Sequence, residues 1–358
     1  MTARQRVAIL ISGRGSNMSA LIAAAKAGDY PAEIAGVFSN DPGARGLAIA
    51  AADGIATAAL AHRDYASKAA FEAAMTAILE GWQADIVALA GFMRVLSPEF
   101  CTRWAGRLIN IHPSLLPRHK GLHTHEQALA DGSVEHGCTV HFVTPGMDEG
   151  PTIAQASVAI LAGDTPDILG ARVLVEEHKL YPRALAMVAA SLAGTAPLIR
   201  RLGAADAAAY RAIRLEALQD APTAFGSSYE AECTRDLAEF ESTVTRNYIA
   251  GAWLGGALVG TAGFHRLDAT KVAHRGNIWG VYVRPEARGH GVARALIADV
   301  LAFARTQVEQ VHLCVVTDNA PALRLYEHLG FVSYGIEPRS LLVDGRYLDE
   351  HMMVLRFD

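Results

Sequence analysis

The chain has 358 residues, of which 51% are hydrophobic and 19% charged, and a formal net charge of −5. That length exceeds one ordinary core and suits two domains, and the composition excludes a disordered chain. Residues 1–198 carry 15 Lys+Arg against 18 Asp+Glu, and residues 199–358 carry 17 against 19, so neither half has the basic footprint of a nucleic-acid binder.

The elements follow in order. Residues 6–12 read as a buried strand, followed by a glycine turn and a helix over 17–27. The run at 7–11 is too short for a signal peptide and is cut off by Gly13-Arg14-Gly15, so it is assigned to the strand. A strand at 33–39, a helix at 44–52, a strand at 55–60, a helix at 66–80 and an apolar strand at 85–89 continue the alternation. Such alternation predicts an α/β fold with a mostly parallel sheet covered on both faces. Residues 137–144 and 152–160 read as paired strands, and 166–193 as one long helix. The small, uncharged stretch 191–197 breaks the pattern, which places a domain boundary between 195 and 196. Beyond it come a strand (198–202), a helix (204–219), a strand series over 248–283, a helix from Gly291, a strand at 311–316, a helix from Asn319 and final strands. No apolar run reaches the ~20 residues of a membrane helix. The cysteines Cys101, Cys138, Cys233 and Cys314 form no metal-type pair and read as free thiols of a reducing, cytoplasmic compartment.

Chemistry concentrates first in Asn110-Ile111-His112-Pro113-Ser114-Leu115-Leu116-Pro117, with Asp148 in a glycine-containing loop downstream. Asn110 and a protonated His112 can donate to a developing oxyanion, and Asp148 can hold the imidazole charged and accept an amine proton. Gly13-Arg14-Gly15-Ser16-Asn17 follows a strand and opens a helix. That geometry suits a phosphate, or simply a tight strand–helix turn. His119, His123, His125, His136 and His141 lack the Cys or acidic partners of a metal set, and no metal is expected.

Taken together, residues 10–17 (Leu-Ile-Ser-Gly-Arg-Gly-Ser-Asn), 37–40 (Val-Phe-Ser-Asn), 89–98, 107–117, 121–125, 140–144 and 148–151, with Glu177-His178, resemble the folate-dependent phosphoribosylglycinamide formyltransferases. The resemblance covers 1–195 and implies a Rossmann-like formyltransferase fold. It implies that Gly15, Ser16, Asn17 and Glu177 bind the ribonucleotide. Lys68, Met93, Arg94, Val95, Leu96 and Asn110 would meet the folate, and Asn110, His112 and Asp148 would be catalytic. The co-substrate would be 10-formyltetrahydrofolate. Lys68 stands where this family's better-known members carry an arginine, so a charge is kept and a two-pronged fork lost. Two related families share the catalytic triplet. A methionyl-tRNA formyltransferase would need a basic tail, which the acidic second half contradicts. A formyltetrahydrofolate hydrolase would need an extra domain before the first strand, for which residues 1–5 leave no room.

In the second half, the strand 278–283 leads to Arg284-Pro285 and then Arg288-Gly289-His290-Gly291-Val292-Ala293, which opens a helix. Asn319 and a Tyr326…Gly330-Phe331 ending follow. These residues resemble the GNAT acetyltransferases, a mixed α/β fold covering 196–358. The resemblance implies acetyl-CoA binding by Val281, Val283, Arg288, Gly289, Gly291, Ala293 and Asn319, with Tyr326 as proton donor to the leaving thiolate. No general base stands out; Glu230 is a guess. The whole then reads as a bifunctional enzyme acting on small molecules, with neither nucleic-acid nor membrane partners and with homo-oligomerisation left open. The alternative is that the second domain senses acetyl-CoA without turning it over.

Overall fold

The computed structural model describes residues 3–357. The chain divides into two compact units, Met1–Leu198 and Ile199–Asp358, three residues beyond the break read from composition. Among the described residues each unit carries one seven-stranded sheet, and no helix is long and apolar enough to cross a membrane.

The first unit runs β1 (Gln5–Ile11), α1 (Ser16–Ala25), β2 (Ala32–Ser39), α2 (Arg45–Ala52), β3 (Thr57–Ala59), α3 (Lys68–Gly81), β4 (Ile86–Leu89), α4 (Pro98–Arg103), β5 (Leu108–His112), α5 (Thr124–Ala130), β6 (Glu135–Phe142), β7 (Thr152–Ala159) and α6 (Pro166–Leu192). The sheet order is β3-β2-β1-β4-β5-β6-β7. Strands β1 to β5 are parallel, and β6 and β7 are antiparallel additions. Central β1 is covered on both faces, which is why Val7 to Ile11 are all apolar and fully buried. The order reverses between β1 and β4, and a crevice opens there at the carboxyl ends of the strands. Helix α6 starts at a Thr165 cap, whose side chain accepts from Ile168 N–H, with Pro166 in the first turn. It is tied to β4 and β5 by Tyr181, whose buried hydroxyl donates to Leu89 O at 2.9 Å and lies 3.3 Å from Ile109 O.

The second unit runs β8 (Leu198–Arg201), α7 (Ala207–Asp220), α8 (Tyr229–Glu232), α9 (Leu237–Arg246), β9 (Tyr248–Leu254), β10 (Ala257–Arg266), β11 (Arg275–Val283), α10 (Val292–Ala304), β12 (Gln310–Val316), α11 (Ala320–His328), β13 (Val332–Val343) and β14 (Arg346–Arg356). Its sheet order is β13-β14-β12-β11-β10-β9-β8. One face packs α10 and α11 through Val292, Leu296, Val300 and Tyr326. The other packs α7 and α9 through Tyr210, Ile213, Phe240 and Val244.

The sequence reading extended β3 by three residues in all and gave no element to β5, α4, α5, α8 or α9. Helix α9 had a legible start: Asp236 accepts from Glu239 N–H while the Glu239 carboxylate accepts from Asp236 N–H, a reciprocal cap written as Asp-Leu-Ala-Glu.

Candidate active sites

In the first unit the site is built by β5 and its antiparallel neighbour. Asn110 and His112 are two residues apart on β5 and therefore share a face. The β5–β6 register sets Asn110 opposite His141 and His112 opposite Thr139. Asn110 Nδ2 thus lies 3.3 Å from His141 Nε2. His141 is 2% exposed, and its Nδ1–H donates to Phe142 O at 2.8 Å. Burial pushes its pKa below the ordinary histidine value, so the ring is neutral and Nε2 accepts from the Asn110 amide. Sequence reasoning had considered His141 only as a metal candidate. The strand register, invisible before the fold, makes it the partner that orients Asn110.

Asp148 arrives on the loop between β6 and β7. Its φ is 53°, and its Oδ2 accepts from Gly121 N–H at 2.9 Å. The loop can pass so close to β6 only because of Gly150, where a Cβ would sit 1.7 Å from Phe142 O. Asp148 Oδ2 is 3.4 Å from His112 Nδ1, and its Oδ1 is 3.7 Å from His141 Nε2. His112 Nε2 donates to His119 O at 2.9 Å. Both nitrogens of the buried His112 ring therefore face acceptors. The structure thus brings Asn110, His112 and Asp148 together. Asn110 and His112 line a cleft of about 330 Å³ with Gly91, Phe92 and Met93.

The remaining predicted residues flank this centre. Gly15 caps α1 with φ 77° and offers no side-chain cap, so the first N–H groups of α1 lack a side-chain partner from that position. Ser16 is exposed and Asn17 half-buried. Asn17 Nδ2 donates to Glu177 Oε2 at 2.6 Å, which joins the glycine turn to α6. Glu177 is 7% exposed, and burial raises its pKa while the Asn17 bond opposes the rise. Lys68, Arg94, Val95 and Leu96 share a recess of about 130 Å³. Lys68 Nζ there lies 4.0 Å from Glu72, whose carboxylate also accepts from Ser97 N–H. Of the other histidines, His125 Nδ1 lies 3.0 Å from His136 Nε2 and His119 Nε2 lies 2.7 Å from Asp131. Among the described residues no group of three or more His, Cys, Asp or Glu could hold a metal ion.

In the second unit, β11 and β12 pair only from Arg275–Asn277 to Gln310–His312 and then part. Their separation opens a cleft of about 420 Å³ lined by Val281, Val283, Arg288, Ala293, Asn319 and Tyr326, with Phe225, Trp279 and Cys314 among its other walls. Where Thr261 and Gly263 on β10 face Tyr282 and Trp279, β11 holds one extra residue. This bulge lies at Gly280, whose φ is 62°. It puts Ile278 and Val281 in the same core. Gly289 and Gly291 do not line the cleft; both are exposed, and Gly291 caps α10 in the left-handed region at φ 75°. Asn319 Oδ1 is engaged in capping α11 through Ala322 N–H. Arg288 is held by Val283 O and Asp220, each at 2.8 Å. Tyr326 is 7% exposed, and burial pushes its hydroxyl up to about 12. Glu230, the guessed base, is exposed on short α8.

A mostly parallel sheet that brings Asn110, His112 and Asp148 together, in a chain that also carries a mixed sheet with parted strands, is the framework of a group-transfer enzyme. The sequence profile of the family described as Formyl transferase matches residues 5–185, and the chain belongs to that family. A second profile, that of the Acetyltransferase (GNAT) family, matches residues 210–331. The phosphoribosylglycinamide formyltransferase of Escherichia coli (strain K12) is 48% identical over 176 residues, which are 49% of this chain and 83% of that protein. The trifunctional purine biosynthetic protein adenosine-3 of Drosophila melanogaster is 50% identical over 187 residues, 52% of this chain but only 14% of that protein's length. The crystal structure of the phosphoribosylglycinamide formyltransferase from Brucella melitensis superposes with a TM-score of 0.51 at 56% identity, over 52% of this chain and 96% of that one.

Proposed function

We propose that the first unit transfers a formyl group from 10-formyltetrahydrofolate to the amine of N1-(5-phosphoribosyl)glycinamide, a step of purine synthesis. The observation that carries this reading is the Asn110–His112–Asp148 cluster, two of whose members line a cleft, in a unit nearly half identical to proteins of that name. The glycinamide nitrogen attacks the formyl carbon, and the carbonyl oxygen gains the charge. Asn110 Nδ2–H and His112 Nε2–H, the latter given to His119 O in the free protein, are the donors for that oxyanion. Asp148 keeps His112 charged and takes the proton lost by the attacking amine, directly or through water. The intermediate then collapses as its C–N bond to the folate breaks, and the folate nitrogen leaves with the proton that Asp148 took from the amine. Gly15, Ser16 and Asn17 hold the phosphate, and Glu177 meets the ribonucleotide. Met93 to Leu96 wall the pterin, and Lys68 meets the donor's far end. The catalytic set requires no metal.

The second unit moves an acetyl group from acetyl-CoA to an amine. Val281 and Val283 offer the edge of β11 to the pantetheine. Arg288, Gly289, Gly291 and Ala293 face the pyrophosphate at the start of α10. Tyr326 keeps its proton at neutral pH and can protonate the departing thiolate. On this reading the protein works in the cytoplasm. Formyl transfer assayed on the whole chain, beside acetyl-CoA turnover with a panel of amines, tests both halves. Absence of product from the ribonucleotide would remove the first assignment, and an idle acetyl-CoA site would remove the second.

A further inference from the structure

The segment 91–96, between β4 and the Ser97 cap of α4, carries the four consecutive residues assigned above to the formyl donor. Phe92 and Leu96 pack into the core at its two ends, whereas Met93 and Val95 between them are 71% and 64% exposed. Apolar packing therefore leaves the middle of the segment loose. Among the described residues its backbone makes two hydrogen bonds to the rest of the unit. Ser12 N–H donates to Gly91 O at 3.1 Å, and Met93 N–H donates to Ser12 Oγ at 2.8 Å. Both end on one residue. The Ser12 hydroxyl proton goes in turn to Asn40 Oδ1 at 2.5 Å, which fixes the lone pair that Met93 N–H meets. Asn40 lies just past the end of β2, in the Val-Phe-Ser-Asn motif to which no other role has been given.

We propose that Ser12 is a positioning residue for the formyl donor, holding the Met93 amide so that the donor loop is formed before the folate arrives. The proposal rests on reading the first unit as a formyl-folate site. Its physical basis is preorganisation: a loop ordered in advance does not have to be ordered by the ligand. Ser12 also immediately precedes Gly13, so one side chain stands where the donor loop and the glycine turn diverge. Among the described residues its hydroxyl bonds only to the Met93 amide and to Asn40. Loss of the hydroxyl should therefore be felt by one substrate and not by both.

Steady-state kinetics with both substrates decide the matter. Ser12→Ala should raise KM for 10-formyltetrahydrofolate by about 5–10-fold, the scale of one lost hydrogen bond. Its kcat and its KM for the ribonucleotide should stay within about twofold. Ser12→Thr, which keeps the hydroxyl, should restore the donor KM. Asn40→Ala, which leaves the Ser12 hydroxyl in place but unaimed, should give an intermediate value. An unchanged donor KM in a well-folded Ser12→Ala protein would overturn the role. So would a joint loss in both KM values and kcat with a lowered melting point, which marks a merely structural residue. Should Ser12→Ala not fold, Asn40→Ala decides, and a wild-type donor KM there overturns the proposal. A wild-type protein without formyl transfer would instead remove the reading of the unit on which the role depends.

Discussion

On the functions proposed above, the two units solve the same problem, moving a one- or two-carbon acyl group to an amine, with opposite materials. In the first, the reacting centre is a knot of polar side chains. Asn110, His112, His141 and Asp148 hold one another within 3.3–3.7 Å, around a strand end and one strained loop. In the second, the cleft is mostly aliphatic, and the polar side chains on its wall are Arg288, Asn319, Cys314, Tyr282, Tyr326 and the Trp279 indole. Arg288 and Asn319 are already engaged by Asp220 and by the start of α11. The difference follows from what the co-substrate brings. A formyl amide is a poor electrophile, so the protein must supply charge stabilisation and proton transfer. A thioester is already activated, so positioning along a strand edge and a proton for the thiolate can suffice. Single side chains should accordingly matter more in the first unit, and backbone shape more in the second.

The largest effect is expected at His112. His112→Ala removes an oxyanion donor together with the group that Asp148 orients, and kcat for formyl transfer should fall by about 10³-fold or more. Ribonucleotide binding and acetyl-CoA turnover should be unchanged. A variant that retains a tenth of wild-type kcat would break the comparison at its polar end.

The next effect tests the backbone end. At Gly291 an added Cβ would meet nothing within 4 Å, yet φ is 75°, so a side chain there is tolerated sterically at a cost of about 1–2 kcal/mol. Gly291→Glu puts a carboxylate at the start of α10, where a pyrophosphate is expected. Acetyl-CoA affinity should fall roughly 100-fold by calorimetry, the loss of about 3 kcal/mol, with formyl transfer intact. Gly291→Ala separates the two causes, because it carries the strain without the charge; its affinity should fall by less than about tenfold. Equal losses in the two variants would mean that helix geometry, and not anion binding, is at stake.

Tyr326 gives a smaller effect. Tyr326→Phe should lower acetyl transfer by roughly 10–100-fold while acetyl-CoA affinity stays near wild type. With its hydroxyl pushed up to about 12, Tyr326 remains protonated throughout the accessible range. The rate should therefore show no alkaline fall attributable to it below about that value. A wild-type rate in Tyr326→Phe would leave the second unit with positioning alone.

How much of this was legible in the residues differs between the units for the same physical reason. Asn110 and His112 could be paired from their residue types and close spacing, without the strand that puts them on one face, and Gly150 and the positive φ of Asp148 were hinted at by a glycine-containing loop. His141 could not be found, because its role comes from the β5–β6 register, a pairing between strands some thirty residues apart. Ser12 was hidden likewise, since its partners Asn40 and Met93 lie on separate strand ends joined only by the parallel order of β2, β1 and β4. In the second unit the glycine pattern at 289–291 was readable, whereas the parting of β11 from β12 and the bulge at Gly280 are relations between strands. Strand β5 escaped because five residues bounded by a proline carry too little pattern to separate a strand from a motif.

The smallest effect concerns pH and the stability of the polar unit. His136 is 1% exposed and shares a proton contact of 3.0 Å with His125. Burial, and then the charges of His125 and His119, lower its pKa from 6.5 to about 4. In the folded unit His136 is therefore neutral above about pH 4, whereas in the unfolded chain it takes up a proton near pH 6.5. Between those values the unfolded state binds more protons, so stability must fall as pH is lowered through the window. His136→Gln keeps a polar group beside His125 but cannot titrate. It should flatten the slope by roughly 1–2 kcal/mol between the two ends of the window, with a residual slope from His125, which burial also depresses. Urea unfolding read by hydrogen exchange follows each unit through its own peptides. The change should be confined to peptides of the first unit such as those of β6. An equal flattening in β10 would mean that the two units do not unfold separately, and the contrast between a polar, pH-sensitive unit and an aliphatic one would have to be given up for stability while standing for catalysis.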